Sequence, residues 1–373
     1  MFAKPSNGCG RPVMDTRRKR KTHEDVLREA ILLISPGTRV REAISAILQS
    51  RTGALLCFGD PQRLGDLSEG GVKVDAPCTP QLLYELSKMD GAIILTKDAS
   101  RIVYANRFLK PDTSIGSNET GSRHRAAERI ARQAKCMTVA VSERRASVTL
   151  YVHGMKHIMD SIPTLLNKAG QVIQTLEKYI NVLKETLQEL TIREFQDMVT
   201  IFDVCGAIQR YEMVLRIARE VEPYILELGT EGRLIALQVR ELMLPVEQAE
   251  LVVKDYYRER TSATCDQVRA KIAEMTQQEL LNLGSISQSL GYGPTPRSVD
   301  TYLSPRGYRV LATTHRLPPQ IIENLVERFG SLKEILRAPK DELDSVEGVG
   351  EVLAERVRVS LDLLRNQLAL DRR

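Results

Sequence analysis

Three absences narrow the reading before any motif is weighed. The 373-residue chain has no long apolar run: stretches such as AILLI at 30–34 fall far short of the about 20 residues a membrane helix needs. Its basic start runs into a polar, amphipathic segment instead of a continuous apolar one, so a secretory signal is not expected and a cytoplasmic location is. The six cysteines (Cys9, Cys57, Cys78, Cys136, Cys205 and Cys265) form neither a CxxC pair nor a Cys/His cluster at zinc spacing. Reduced, mostly buried thiols are expected.

Several catalytic signatures are missing as well. No serine nucleophile with a plausible triad is present. The pair His153 and His157 in HGMKH lacks a glutamate after the first histidine, and GYGPTP at 291–296 has no preceding strand, with Pro294 interrupting any cradle of N–H groups.

What is present is a folded composition, 42% hydrophobic, with a net charge of +5. Its length predicts two or three domains. Much of the positive excess lies in a leader, residues 1–21, where Lys4, Arg11, Arg17, Arg18, Lys19, Arg20 and Lys21 oppose Asp15. Such a leader suits nucleic acid or is a solvated tail. Residues 22–155 alternate amphipathic helices (HEDVLREAILLIS, RVREAISAILQS) with short Val/Ile/Leu-rich strands (TGALLCFG, GGVKV, GAIILT, RIVYANRFL, MTVAVS), an α/β domain with a largely covered sheet. Residues 156–283 change texture. Ile162, Leu165, Ala169, Val172, Leu176, Tyr179, Leu183, Thr186 and Leu190 alternate 3,4 along a long helix, followed by further helical stretches, so a helical bundle with a spacer role is expected. Glycine, proline and serine at 284–305 mark a linker, and 306–373 is short and helical.

One stretch runs against electrostatic habit. GSRHRAAER, 121–129, opens a helix with Ser122 as expected N-cap, yet places Arg123, His124 and Arg125 in the first turn. There the helix dipole repels cations by roughly 0.3–1 kcal/mol each when exposed. Two readings account for it: a solvated turn whose arginines pair with acids such as Glu119 and Glu128, or a seat for a polyanion. Thirty residues earlier, Asp90 enters a strand beside Gly91 and Ala92, where small side chains leave room for a ligand to approach the backbone. After MTVAVS come Ser142, Glu143, Arg144 and Arg145. Asp90 and Glu143 can hold one or two divalent ions, and the arginines can neutralise phosphate. Phosphoryl chemistry needs positioning, metal and positive charge more than covalent groups, and these clusters supply that set.

The pair Asp90-Gly91-Ala92 and Arg123-His124-Arg125 resembles the DGA and RHR signature of the diadenylate cyclase domain. The order of α/β domain, helical spine and terminal SVEGVGE module resembles the DNA integrity scanning family over about residues 20–373. The resemblance implies a multidomain α/β plus all-α fold: a mixed-sheet nucleotide-binding domain, a helical bundle spine and a tandem helix-hairpin-helix domain. It implies condensation of two ATP to cyclic di-AMP and two pyrophosphates with Mg2+ or Mn2+. Asp90 would bind metal and activate the ribose 3'-hydroxyl, with Glu143 a further metal ligand. Gly91, Ala92 and Leu109 would line the nucleotide pocket, and Ser122, Arg123, His124, Arg125, Ser142, Arg144 and Arg145 would hold the triphosphate. Ser122 departs from the family's usual threonine, and the basic leader lies outside the family pattern. Two-fold symmetry of the product implies two sites face to face, and the resemblance implies that such pairs form within an octamer.

By the same resemblance, Gly348, Val349, Gly350 and Arg316 contact DNA, branched or recombining, in a nucleoid-associated protein that also meets repair partners such as a RadA-type ATPase. Charge alone would not suggest this: residues 297–373 hold 13 basic and 12 acidic side chains, a net of +1. A repair glycosylase fits less well, because only 23 residues follow Gly350. A DNA-binding scaffold with a nucleotide pocket that regulates without turnover is the rival.

Overall fold

The computed structural model describes residues 22–258, 264–294, 301–313 and 317–370; the expected leader at 1–21 and Arg316 lie outside them. The chain divides into two compact units between Ser161 and Ile162.

In the first unit, α1 (His23–Ile34) is started by a reciprocal cap. The Asp25 N–H donates to Thr22 Oγ1 at 3.2 Å, and the Thr22 N–H donates to the Asp25 carboxylate at 2.9 Å. α2 (Arg39–Gln49) follows, capped by Thr38. Next come β1 (Ala54–Gly59), α3 (Pro61–Asp66), β2 (Ser68–Glu69), β3 (Val72–Pro77), α4 (Pro80–Ser87), β4 (Ala92–Thr96) and β5 (Arg101–Leu109). α5 (Ser122–Ala134), β6 (Met137–Ser142), β7 (Ser147–Val152) and β8 (Met155–Met159) complete the unit. The strands form one mixed sheet in the order β2-β5-β4-β1-β6-β7-β8, with β3 also pairing with β5. β1 and β4 are parallel, and the other pairs are antiparallel. β1 sits mid-sheet with all six residues buried, which is why ALLCFG is a continuous apolar run without alternation.

β7 and β8 escape the sequence reading. They meet at His153 (φ 49°) and Gly154 (φ 89°), a two-residue turn with both angles positive. β8 carries the sheet to Met159, past the boundary expected at 155.

The second unit is helical, with α6 (Ile162–Gln196) packed along α7 (Ile201–Leu228). Here the expected seam needs correction. The buried stripe of α6 runs through Leu165, Ala169, Ile173, Leu176, Ile180 and Leu183, whereas Tyr179 is exposed and Val172 only half-buried. A helix of 3.6 residues per turn drifts off a strict heptad, so the inward face moves by one residue. The expected linker at 284–305 is likewise partly packed. Helix Leu283–Ser289 buries Ile286, and Leu290 joins the same core. A Cβ on Gly284 would collide with the Pro294 carbonyl, so this glycine serves close packing. Tyr302 and Leu303 then pair with Thr200 and Val199 as a two-stranded ladder.

This unit encloses a charged network. The buried Arg309 donates to Thr191 Oγ1 at 2.9 Å and pairs with the buried Glu194, whose carboxylate also accepts from the Tyr256 hydroxyl at 2.8 Å. Buried Asp255 accepts the N–H groups of Gly307, Tyr308 and Arg309 at 2.7–2.9 Å. Helices Pro319–Phe329, Leu332–Arg337, Lys340–Asp344 and Glu351–Leu370 close the chain. Between the last two, Gly348 has φ +80°, and a Cβ there would lie 2.8 Å from Ile321 Cδ1. Val349 is buried in the core of this region; Gly350 is open to solvent with nothing near the position of a Cβ.

Candidate active site

Sheet register brings the separated motifs to one end of the sheet. Leu55 of β1 stands opposite Ala92 of β4 and Ala54 opposite Val141 of β6, while Ala92 faces Arg107 of β5. Gly53, Asp90 with Gly91, Ser142 and Leu109 therefore cluster where β1 and β4 begin and β5 and β6 end. A mixed sheet makes this possible, because antiparallel neighbours bring strand starts and strand ends together.

Gly91 is demanded by this geometry. Its φ is +101°, and a Cβ would sit 2.9 Å from the Arg107 carbonyl oxygen. β5 bulges at this point, with Asn106 at φ 56°, and the bulge presses backbone against Gly91. Asp90 is exposed and makes no side-chain hydrogen bond or ion pair among the described residues. Ala92 and Leu109 are buried in one core cluster with Leu55, Ala127 and Ala131. Leu109 is thus mainly a core residue that supports the sheet end.

α5 lies against β6, β7 and β1, tied to β6 where Thr138 Oγ1 donates to the Ala127 carbonyl at 2.9 Å. Its N-cap is Gly121, not Ser122 as expected. The Arg125 N–H already bonds the Gly121 carbonyl at 2.9 Å, so Ser122 is the first helical residue. Gly121 supplies no side-chain acceptor, and the first turn holds no acid. Its N–H groups and cations are left for something else. Arg123 lies over Gly53, where a Cβ would overlap its guanidinium. Arg125 donates only to the carbonyls of Glu119 and Thr120, both at 3.3 Å.

The acids expected to neutralise these arginines are taken. Glu128 is buried, accepts from Ser117 Oγ and pairs with Arg132 at 2.6 Å. Glu119 pairs with Lys156 at 2.6 Å and accepts the Tyr151 hydroxyl at 2.9 Å. The turn after β6 adds exposed Glu143, Arg144 and Arg145, with Ser142 Oγ accepting the Arg145 N–H at 3.3 Å. Four guanidiniums and two free carboxylates thus belong to elements that meet at this sheet end, the inventory a metal-bound polyphosphate requires. The described residues hold no preformed cluster of three or more metal-ligating side chains. This donor set suits an ion such as Mg2+, which keeps one or two carboxylates and takes other ligands from phosphate.

His124 is half-buried. Its Nδ1 lies 3.0 Å from the Tyr151 hydroxyl, and the rings meet edge to face at 6.2 Å. Burial holds the imidazole below its ordinary value, against the pull of Glu119. The Tyr151–Glu119–Lys156 chain and the packing of Arg123 over Gly53 escape the sequence reading, which offers Glu119 only as a partner for the arginines; the one local signal was Gly53 immediately before a strand. The cysteines Cys57, Cys78, Cys136 and Cys205 are buried, and burial pushes the Cys136 and Cys205 thiols up to about 12. A cavity of about 1370 Å3 opens elsewhere: Phe58, Gly59, Met137 and Val152 line it at the opposite end of the strands, and none of the candidate residues lines it.

Residues 41–156 match the family described as DisA bacterial checkpoint controller nucleotide-binding, and residues 159–299 match the DisA bacterial checkpoint controller linker region. The chain is 44% identical to the DNA integrity scanning protein DisA of Clostridium perfringens, over 95% of this chain and 99% of that protein. It is 46% identical to the protein of the same name from Carboxydothermus hydrogenoformans (91% and 96%) and 43% identical to that from Bacillus subtilis (96% and 99%). A solved structure of DacA from Staphylococcus aureus aligns with 37% of this chain and 89% of that one, at 26% identity and a TM-score of 0.29. Among the described residues no helix is long and apolar enough to cross a membrane. With both its nucleotide-binding and linker regions matched and its relatives aligned nearly end to end, the chain belongs to the DisA family and is a diadenylate cyclase.

Proposed function

We propose that the sheet end described above condenses two ATP into cyclic di-AMP and two pyrophosphates. The observation that carries this reading is the uncapped start of α5, with Arg123, His124 and Arg125 free of acidic partners, at the sheet end that also presents Asp90. Arg123 and Arg125 grip the triphosphate with Arg144 and Arg145, while Ser122, Ser142 and the first-turn N–H groups add donors. Gly91 and Ala92 let the nucleoside lie against backbone. Asp90, with Glu143, would hold Mg2+ or Mn2+, which supplies charge neutralisation at the α-phosphate when bound. Asp90 orients the ribose 3'-hydroxyl and accepts its proton as that oxygen attacks the α-phosphate of the facing ATP.

Each half of the product repeats the other, so two subunits face each other, each holding one ATP; the octamer built from such pairs rests on the family resemblance alone. Rate per subunit should therefore fall on dilution as the assembly dissociates. A constant rate at concentrations where light scattering reports monomers would contradict this.

Helices Pro319–Phe329 and Glu351–Leu370 with the Gly348–Gly350 turn support a helix-hairpin-helix module that binds DNA through backbone N–H groups, independent of sequence. Val349 is buried, so its contribution is its backbone. Gly350→Asp tests this without crowding the fold, since nothing lies near its Cβ position. A carboxylate there should weaken binding to branched DNA while basal cyclic di-AMP synthesis persists. Unchanged affinity would move DNA binding elsewhere, to the basic leader first. This links nucleotide synthesis to DNA integrity, in the cytoplasm and at the nucleoid.

A further inference from the structure

A polar chain stands behind His124 that the proposed chemistry does not use. Tyr151 on β7 is 1% exposed, and its hydroxyl sits between His124 Nδ1 at 3.0 Å and Glu119 Oε1 at 2.9 Å. Lys156 on β8 closes the chain, 2.6 Å from the same Glu119 oxygen.

Counting hydrogens gives this chain a direction. The Lys156 ammonium only donates. Burial pushes the Glu119 carboxyl up, but hydrogen bonds from Lys156 and Tyr151 outweigh it and leave it below its ordinary value, so at neutral pH it only accepts. The Tyr151 phenol, raised by burial and by Glu119, keeps its single hydrogen and gives it to Glu119. Its oxygen must then accept, and His124 Nδ1 must carry the hydrogen. Nε2 has no partner among the described residues, and the neighbouring Cδ2 lies 3.7 Å from where a Cβ on Gly121 would stand, beside the uncapped helix start. The charged groups around the ring are Glu119, Lys156, Arg145 from the β6–β7 turn, and Arg123 on its own helix; burial, the three cations and Glu119 together leave it below the ordinary imidazole value. The ring at rest is therefore neutral, with a lone pair on Nε2.

We infer that Tyr151 is a positioning residue which, backed by Glu119 and Lys156, fixes His124 in the Nδ1–H form, so that Nε2 engages the triphosphate only by taking up one proton. The inference rests on the reading that the Arg-His-Arg turn seats the triphosphate. A lone pair facing a phosphate oxygen is repelled, whereas a protonated Nε2 gives a charge-assisted hydrogen bond. The proton comes from solvent on binding and returns when pyrophosphate leaves.

The test is calorimetry of the full-length protein with Mg2+ and 3'-deoxy-ATP, which keeps the triphosphate but lacks the attacking hydroxyl, in two buffers of different ionisation enthalpy at pH 7.5. Uptake by the parent minus uptake by His124→Ala should be about one proton per site, and affinity should fall with rising pH. In Tyr151→Phe the ring is free to carry its hydrogen on Nε2, so uptake should drop below about half a proton, the pH dependence should flatten, and affinity should weaken roughly 3- to 10-fold at most. Glu119→Gln, whose amide can donate as well as accept, should give intermediate uptake and serves if Tyr151→Phe does not fold. Full parental uptake in the folded variants, or no uptake in the parent, overturns the positioning role. Parental affinity in His124→Ala would instead overturn the seat itself, which separates the two failures.

Discussion

The molecule holds two concentrations of charge, and they are built in opposite ways. In the helical unit, Arg309, Glu194 and Asp255 are buried, and each carboxylate is met by a guanidinium, a hydroxyl or backbone N–H groups. At the sheet end of the α/β unit, Asp90, Arg123, Arg144 and Arg145 have no ion pair among the described residues. Charge that holds a fold together is spent inside it, because an unpaired buried ion is too costly. Charge left unpaired at the surface, and placed against the helix dipole, is available to a ligand of opposite sign. The same residue type, arginine, thus serves stability in one unit and, in the proposed function, phosphate binding in the other.

Substitutions can break this contrast, and the largest effect is expected at Asp90. Asp90→Asn should lower cyclic di-AMP synthesis at least about 100-fold while leaving the melting temperature unchanged, since the side chain is exposed and unpartnered. A loss of folding would make Asp90 structural. Arg309→Met should do the reverse. Measured by denaturant unfolding at pH 8, it should cost about 3–5 kcal/mol by leaving Glu194 without its cation, with little change in the kinetics of a properly folded sample. Arg123→Met should raise the ATP KM roughly 10-fold or more, in line with one charged hydrogen bond, and leave unfolding unaffected.

A smaller effect concerns pH. Burial pushes Glu194 from 4.5 up to about 7, although Arg309 pulls it down. The folded state therefore holds this proton more tightly than the unfolded one. Its contribution to stability is full below pH 4.5 and is lost as pH rises through about 7. The slope of unfolding free energy across that window should shrink in Glu194→Gln. Smallest of all, Gly53→Ala should chiefly displace the Arg123 guanidinium, with the Val141 carbonyl oxygen 3.2 Å from the new Cβ, and raise the ATP KM a few-fold with a loss of stability of about 1 kcal/mol or less. A large loss of stability there would mean that Gly53 serves the strand rather than the site.

How much of this was legible follows from the range of each interaction. Strand β1 and helices α1 and α2 were readable because apolar runs and helical periodicity act over a few residues; their caps, Thr22 and Thr38, emerge only in the structure. The Arg-His-Arg turn was readable because it violates a local rule, and Asp90-Gly91-Ala92 because Gly91 occupies a backbone position that a side chain would strain. The network that joins His124 to Tyr151, Glu119 and Lys156 left no such trace: Tyr151 is 27 residues from His124 and 32 from Glu119, and only the sheet brings them together. Ser122 in place of Gly121 was an error of one residue, of the size expected where a helix begins without a side-chain cap. The packed helix at Leu283–Ser289 was hidden because glycine and serine mark loops and close packing alike.

In the proposed reaction ATP is consumed at this sheet end. Mass spectrometry of the products after incubation of the purified protein with ATP and Mg2+ or Mn2+, beside Asp90→Asn, tests that most directly. The prediction is cyclic di-AMP and pyrophosphate from the parent and neither from a folded variant; equal product from both would contradict the assignment of the chemistry to this site.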